Sequence, residues 1–281
     1  MDKLSNMQTP TKIVLLVSIL LITLCSCTSD NGNDNQALLL KKIVEVAVDG
    51  SSKATFIAYE ANKIVSIDKV SEFSTFYYTG DLITKITVLN KSTQNQNTLE
   101  YVYSDNKLVK IISSDNYTLN YIHNTDGTVS YEKLTKDSNE NEVRSNHGTL
   151  YFQNGNLIKD EKFLDNVGKG VLAINKMEVS YDYKNNALLN ILGFSKLLDY
   201  SKFISSNNDI SSLETSSVKY VNEDQAISAV KMNTNKYKYN SDDYPTEIVS
   251  ENEMFGGHNA NHLKSHYFII NLLYKKIKLI L

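Results

Sequence analysis

The sequence has no tryptophan, only two prolines and only two cysteines. Both cysteines, Cys25 and Cys27, stand near the N-terminus, and residues 28–281 have none. That excludes a disulfide framework, a zinc–thiolate site and a cysteine nucleophile from the body of the chain. Proline is confined to Pro10 and Pro245, so almost nothing interrupts extended segments. Charge of one sign is also missing. The formal net charge is −3 with no Lys/Arg-rich run, which leaves no footprint for nucleic acid. The one long apolar run, residues 13–24, makes about 18 Å of helix against the ~30 Å hydrocarbon core of a bilayer. Catalytic signatures are absent too: no G-x-S-x-G elbow, P-loop, dinucleotide glycine pattern or H-E-x-x-H pair. Gly193-Phe194-Ser195 opens like an elbow, but Leu197 stands where glycine is needed. Among the polar turns, Asp30 to Lys41 fails as a calcium loop because lysine occupies the place of a bidentate glutamate.

What is present begins with the N-terminus. Asp2, Lys3 and Lys12 flank a polar start, the apolar run follows, and the stretch ends Leu24-Cys25-Ser26-Cys27. This is the layout of a secretory signal. The ending resembles a bacterial lipobox, in which a leucine three places before a cysteine and a small residue just before it guide lipidation and cleavage. The resemblance implies a signal peptide over residues 1–26, an acylated Cys27 as mature N-terminus, and a polar tether over 27–36. Two or more acyl chains hold a protein stably on a membrane where one does not, so the membrane would be a partner through lipid alone. Thr28 is not the aspartate that commonly retains lipoproteins at an inner membrane. The tether 29–35 resembles the acidic export signals of Bacteroidota surface lipoproteins. An outer-membrane location is expected, with the leaflet left open.

The rest of the chain is rich in residues that suit a pleated surface, including eighteen tyrosines and nine phenylalanines. A hairpin unit recurs. Its clearest copy runs Leu99-Glu100-Tyr101-Val102-Tyr103, then the turn Ser104-Asp105-Asn106, then Lys107-Leu108-Val109-Lys110-Ile111. Looser copies start at Tyr59, Phe76, Tyr151, Tyr181 and Tyr237, and one near Tyr121 carries His123 in the second aromatic place. Asp49-Gly50, Asp126-Gly127 and Asn154-Gly155 supply the positive φ of tight hairpins. The return strands pair apolar residues three apart, such as Ile64 with Ile67 and Leu108 with Ile111. In a regular strand these point to opposite faces, so either both faces are covered or a bulge re-aims one side chain. The units resemble degenerate YD-type hairpin repeats of uncharacterised Bacteroidota lipoproteins, over roughly residues 40–250. The expected class is mainly β: an open, twisted antiparallel sheet of successive hairpins filling 37–268.

Two stretches break the pattern. Residues 188–217 read as a short helical or loop insertion, with 205–217 a Ser- and Asn-rich loop. Residues 269–281, apolar with Lys275, Lys276 and Lys278, read as a C-terminal tail outside the fold. Two sets of side chains are candidate sites. His258, His262 and His266, spaced by four with Glu251 and Glu253 nearby, could bind zinc, nickel or copper. Tyr78, Tyr103, Tyr183 and Tyr239 recur at one place in the hairpins and could form an aromatic binding face. No cofactor and no enzymatic activity are expected. The leading function is a membrane-anchored envelope lipoprotein that binds or scaffolds a protein, peptide or glycan. Two alternatives stay open: an envelope polysaccharide hydrolase using a carboxylate pair, and a metal-binding protein using the histidines.

Overall fold

A computed structural model describes residues 36–47, 49–200, 204–256 and 263–278, with side chains for those between 38 and 255. The signal segment, Cys27 and the tether up to Asn35 lie outside the described residues, as do His258 and His262 and the side chain of His266. No helix among the described residues is long and apolar enough to cross a membrane.

The fold is nearly all β. Its strands in chain order are β1 (Gln36–Val46), β2 (Ser52–Glu60), β3 (Lys63–Asp68), β4 (Glu72–Thr79), β5 (Leu82–Asn90), β6 (Gln96–Ser104), β7 (Lys107–Ser113) and β8 (Tyr117–His123). They continue with β9 (Val129–Lys136), β10 (Glu142–Gln153), β11 (Asn156–Leu164), β12 (Val171–Asn185), β13 (Asn207–Tyr220), β14 (Ile227–Tyr239), β15 (Pro245–Gly256) and β16 (Leu263–Lys278). Strands β2 to β16 form the expected antiparallel sheet of successive hairpins, each strand bonded to its sequence neighbours. Strand β1 bonds to both ends of that sheet, to β2 and to β16, and so joins it into a closed barrel.

Two expectations are corrected here. Residues 269–278 are not a tail: they lie in β16, where Ile269 pairs with Val46 and Lys278 with Gln36. Their apolar run with late lysines carries no hairpin spacing because its partner β1 lies at the other end of the chain. Residues 207–217 are not a loop but the first part of β13, paired to β12 and β14. The inward face there is polar, with Asn208 and Ser212 buried, so a serine- and asparagine-rich segment still makes a strand. The expected insertion survives between β12 and β13, and the regular parts of its described residues are two short 3-10 turns, Phe194–Lys196 and Leu198–Tyr200.

The paired apolar residues of the return strands are reconciled by bulges. Register shifts fall between Ala58 and Tyr59, Tyr77 and Tyr78, Val102 and Tyr103, and Tyr151 and Phe152. Each inserts one extra residue on the return strand, which turns both apolar positions inward. Ile83 and Ile86 are accordingly both fully buried, and so are Leu108 and Ile111. At the β6–β7 hairpin the turn residues Asp105 and Asn106 take φ 48° and 63°, the mirror-image turn that matches strand twist.

The core lies inside the barrel. Inward residues of β1 to β11 pack against Ile191, Phe194, Leu197, Leu198 and Ile204 from the insertion, which plugs the end where the β2–β3, β4–β5 and β6–β7 turns meet. The plug is tied to those turns through its backbone and side chains. Leu192 N–H donates to the Asn62 carbonyl at 3.0 Å, and Lys196 Nζ donates to the Asn106 carbonyl at 3.0 Å. Gly193, at φ 73°, is where the plug passes the β4–β5 turn; a Cβ there would sit 2.6 Å from the Asp81 carbonyl oxygen. Asn190 Nδ2 donates to the Leu38 carbonyl at 2.9 Å and to Tyr244 Oη at 2.8 Å, fastening the plug to β1 and to the β14–β15 turn.

Candidate functional site

The recurring tyrosines divide into two kinds. Tyr78 and Tyr103 face inward and bond to backbone. Tyr103 Oη donates to the Ile83 carbonyl at 2.8 Å, while Tyr78 Oη donates to Leu192 O at 3.0 Å and accepts from Ile64 N–H at 3.1 Å. Tyr59 does the same for Leu40 O at 2.7 Å, and Tyr181 for Leu157 O at 2.7 Å. In the copy with histidine, His123 Nε2 lies 2.9 Å from the Leu108 carbonyl oxygen; a carbonyl only accepts, so that nitrogen carries the proton. The polar groups thus meet backbone at or beside the bulges, where the ladder is interrupted. Burial raises the hydroxyl of Tyr78 to about 12, in keeping with a proton held for donation.

The four tyrosines named from the sequence therefore do not form one open face. Tyr239 donates to Asp182 Oδ2 and stacks on Tyr237 at 5.9 Å. Tyr183 alone is open, 85% exposed, because the β12–β13 register shifts between Tyr181 and Asn185. In this hairpin it is Tyr181, and not Tyr183, that donates to the backbone as Tyr103 does. Among the described residues no group of histidines, cysteines and carboxylates is arranged to hold a metal ion.

Two of the hollows among the described residues hold the interior carboxylates and the exposed tyrosine. The first is a cavity of about 250 Å³ inside the barrel, lined by Tyr121, Tyr131, Lys133, Asp160, Lys162 and Asp199 among others. Asp199, on the plug, accepts from Tyr101 Oη at 2.8 Å; Asp160, on β11, accepts from Tyr131 Oη at 2.8 Å. Asp199 is walled by protein yet faces the cavity, and desolvation pushes its carboxyl up to about 6. Burial raises Asp160 also. Tyr131 reaches Asp160 by crossing β10 at Gly148, its cross-strand partner, where a Cβ would lie 2.7 Å from the tyrosine ring. Each carboxylate is thus bound to a tyrosine that links one element to another, which is an anchoring arrangement.

The second place is a notch of about 430 Å³ at the plugged end, where β11 and β12 part. Their ladder ends at Lys159 paired with Glu178, although β11 goes on to Asn156 and β12 to Asn185 along their other neighbours. Side chains bridge the gap. Leu157 N–H donates to Ser205 Oγ at 3.1 Å, Ser205 Oγ donates to Tyr181 Oη at 2.9 Å, and Asn156 and Asn207 exchange two hydrogen bonds. Gln153, Asn154, Ser180 and Tyr183 form the rim. No sequence signal marks the notch, since the parted ends of β11 and β12 are bridged by Ser205 and Asn207, which lie beyond the plug in sequence.

The outer wall carries charged residues in the middle parts of several strands, among exposed apolar ones such as Val102, Ile112 and Ile122. Lys85 pairs across strands with Glu100, Lys110 with Asn120 and Asn120 with Glu132. On β11 and β12, Lys159 pairs with Glu178 and Glu161 with Lys176. Ion pairs run along each strand of this quartet, Lys159–Glu161 at 3.6 Å and Lys176–Glu178 at 2.8 Å. Aromatic rings on the same face lie under lysines, Tyr77 under Lys85 at 4.1 Å and Tyr151 under Lys159 at 4.0 Å.

No family model and no curated protein matches the chain. Among solved structures it is similar to a porin-like protein from Bacteroides vulgatus, with a TM-score of 0.50 and 12% identity over 85% of this chain and 99% of that one. A porin-like protein from Bacteroides uniformis gives a TM-score of 0.48 and 9% identity over 84% of this chain and 98% of that one. At such identity the likeness to the first is one of fold: a β-rich chain resembling Bacteroides porin-like proteins.

Proposed function

We propose that this chain is an outer-membrane lipoprotein of the cell envelope, held by acyl chains on Cys27, whose barrel stands in water and binds a ligand without catalysis. The charged outer wall carries this reading. A lipid-embedded barrel turns an apolar band to the bilayer, and each lysine at mid-height there costs about 2–4 kcal/mol. Four such residues, Lys85, Lys110, Lys159 and Lys176, would together cost on the order of 10 kcal/mol, as much as the whole stability of a typical domain. The interior is filled rather than open: aliphatic side chains and tyrosines of β1 to β11 pack against the plug, and charged groups inside, among them Asp160 and Asp199, line a cavity of about 250 Å³. A barrel of this kind needs another means of staying at a membrane, and the lipobox-like ending at Cys27 supplies one. The polar notch at the plugged end supports the binding role, and the tyrosine-bound state of Asp160 and Asp199 supports anchoring for the interior carboxylates.

The test is solubility without the anchor. A chain beginning at Thr28 should remain in solution without detergent, while the full chain takes up labelled palmitate and partitions with membranes. A chain from Thr28 that enters vesicles and resists extraction at high pH would mean the barrel itself sits in lipid, and the reading fails.

A further inference from the structure

We infer that the notch between β11 and β12 is a binding site for an uncharged oligosaccharide, with Tyr183 as its stacking platform. The inference rests on the binding role proposed above and gives it a site and a ligand class.

The floor of the notch is fixed and its rim is free. The Asn156–Asn207 exchange and the Leu157–Ser205–Tyr181 chain of hydrogen bonds occupy the floor, and Asn207 Nδ2 is also spent on the Lys184 carbonyl at 2.9 Å. The side chains of Gln153, Asn154 and Ser180 at the rim make no hydrogen bond among the described residues. Amides and hydroxyls both donate and accept, as sugar hydroxyls do. A volume of about 430 Å³ suits one or two sugar rings.

Tyr183 is exposed but not loose. Lys184 Nζ lies 5.1 Å from its ring centroid, and the same ammonium is held at 2.7 Å by Asp243 Oδ1. A ring steadied on one face by a fixed cation offers its other face, at little entropic cost, to the C–H face of a sugar.

Charge and backbone argue against other ligands. The one carboxylate at the notch, Asp182, already accepts from Lys184 N–H, from Asn208 N–H and side-chain amide, and from Tyr239 Oη. The nearby cation, Lys184, is paired with Asp243, so among the described residues lining the notch no free charge matches an ionic ligand. A peptide strand seeking to extend β11 finds the Leu157 carbonyl taken by Tyr181 and its N–H taken by Ser205.

The full chain in detergent is titrated with neutral oligomers of glucose, mannose and N-acetylglucosamine, followed by calorimetry. At least one series should bind. Tyr183→Ala should weaken it by about tenfold or more, and Gln153→Ala should weaken it measurably. Both side chains are exposed, so both variants should melt like the parent. Tyr220→Ala, another exposed tyrosine on β13, should bind like the parent. The inference is overturned if no series binds, if binding survives Tyr183→Ala unchanged, or if Tyr220→Ala weakens it equally. Failure here while palmitate still enters Cys27 and the chain from Thr28 stays in solution removes only the ligand class. Failure of those two results removes the reading beneath it.

Discussion

The clearest consequence of the bulge-capping tyrosines is that one atom should matter at Tyr103 and not at Tyr183. In Tyr103→Phe the ring stays and only the hydroxyl that donates to the Ile83 carbonyl is lost. A hydrogen bond of this sort contributes about 1 kcal/mol net, and leaving a half-buried acceptor unpaired adds about 1–2 kcal/mol. The expected loss is therefore about 1–3 kcal/mol. Tyr103→Ala removes the ring as well, from a position packed against the core, and should cost about 3–5 kcal/mol. At Tyr183, with no hydrogen bond among the described residues and 85% of its surface exposed, Phe and Ala should both stay within about 0.5 kcal/mol of the parent. Urea melts followed by circular dichroism read all four variants, with equal slopes required for the midpoints to be compared. An unchanged midpoint for Tyr103→Phe would refute the capping argument. So would a Tyr183→Ala loss equal to that of Tyr103→Ala, which would make both rings core.

Three further outcomes are expected. Gly148→Ala should destabilise by about 1–3 kcal/mol, because its Cβ meets the Glu161 carbonyl and the Tyr131 ring; a melt matching the parent would show that Tyr131 does not cross there. For Asp199 the sign follows from a carboxyl raised to about 6 in the fold against about 4 in the unfolded chain. The fold holds that proton longer, so stability from this group is greatest below pH ~4 and declines as pH rises through ~6. Asp199→Asn should remove that decline, and an unchanged difference between variant and parent melts from pH 4 to 7 would refute it. Ending the chain at Phe268 strips the β16 partners from Val46 to Gln36 on β1 and should cost more than about 3 kcal/mol or prevent folding; a melt like the parent's would restore residues 269–281 to the status of a tail.

The hairpins were legible in the sequence because each is local. Tyr101-Val102-Tyr103 and Leu108-Val109-Lys110-Ile111 carry strand, turn and return within thirteen residues, and the three-residue spacing of Leu108 and Ile111 already required either two covered faces or the bulge that is found. What escaped was non-local. The pairing of β1 with β16 joins opposite ends of the chain and leaves no spacing to read. Residues 207–217 look like a loop because strand propensity assumes an apolar inner face, whereas this part of the barrel is lined with amides. Asn208 bonds to Asp182 and the Asn185 carbonyl, and Asn235 to the Asp209 carbonyl. Tyr183 fits the Tyr-x-Tyr spacing, but Tyr181 makes the backbone bond, beside a register shift between Tyr181 and Asn185 that the spacing does not encode. His258, His262, the side chain of His266 and Cys27 lie outside the described residues.

Closure by β1 also bears on how copies of this protein live beside one another. An unpaired strand rim is the surface along which β-proteins fuse. With β1 and β16 bonded to each other, the described strands offer neighbours no open edge of free amides and carbonyls. Crowded copies should slide past one another, and recognition of anything else must be made by side chains.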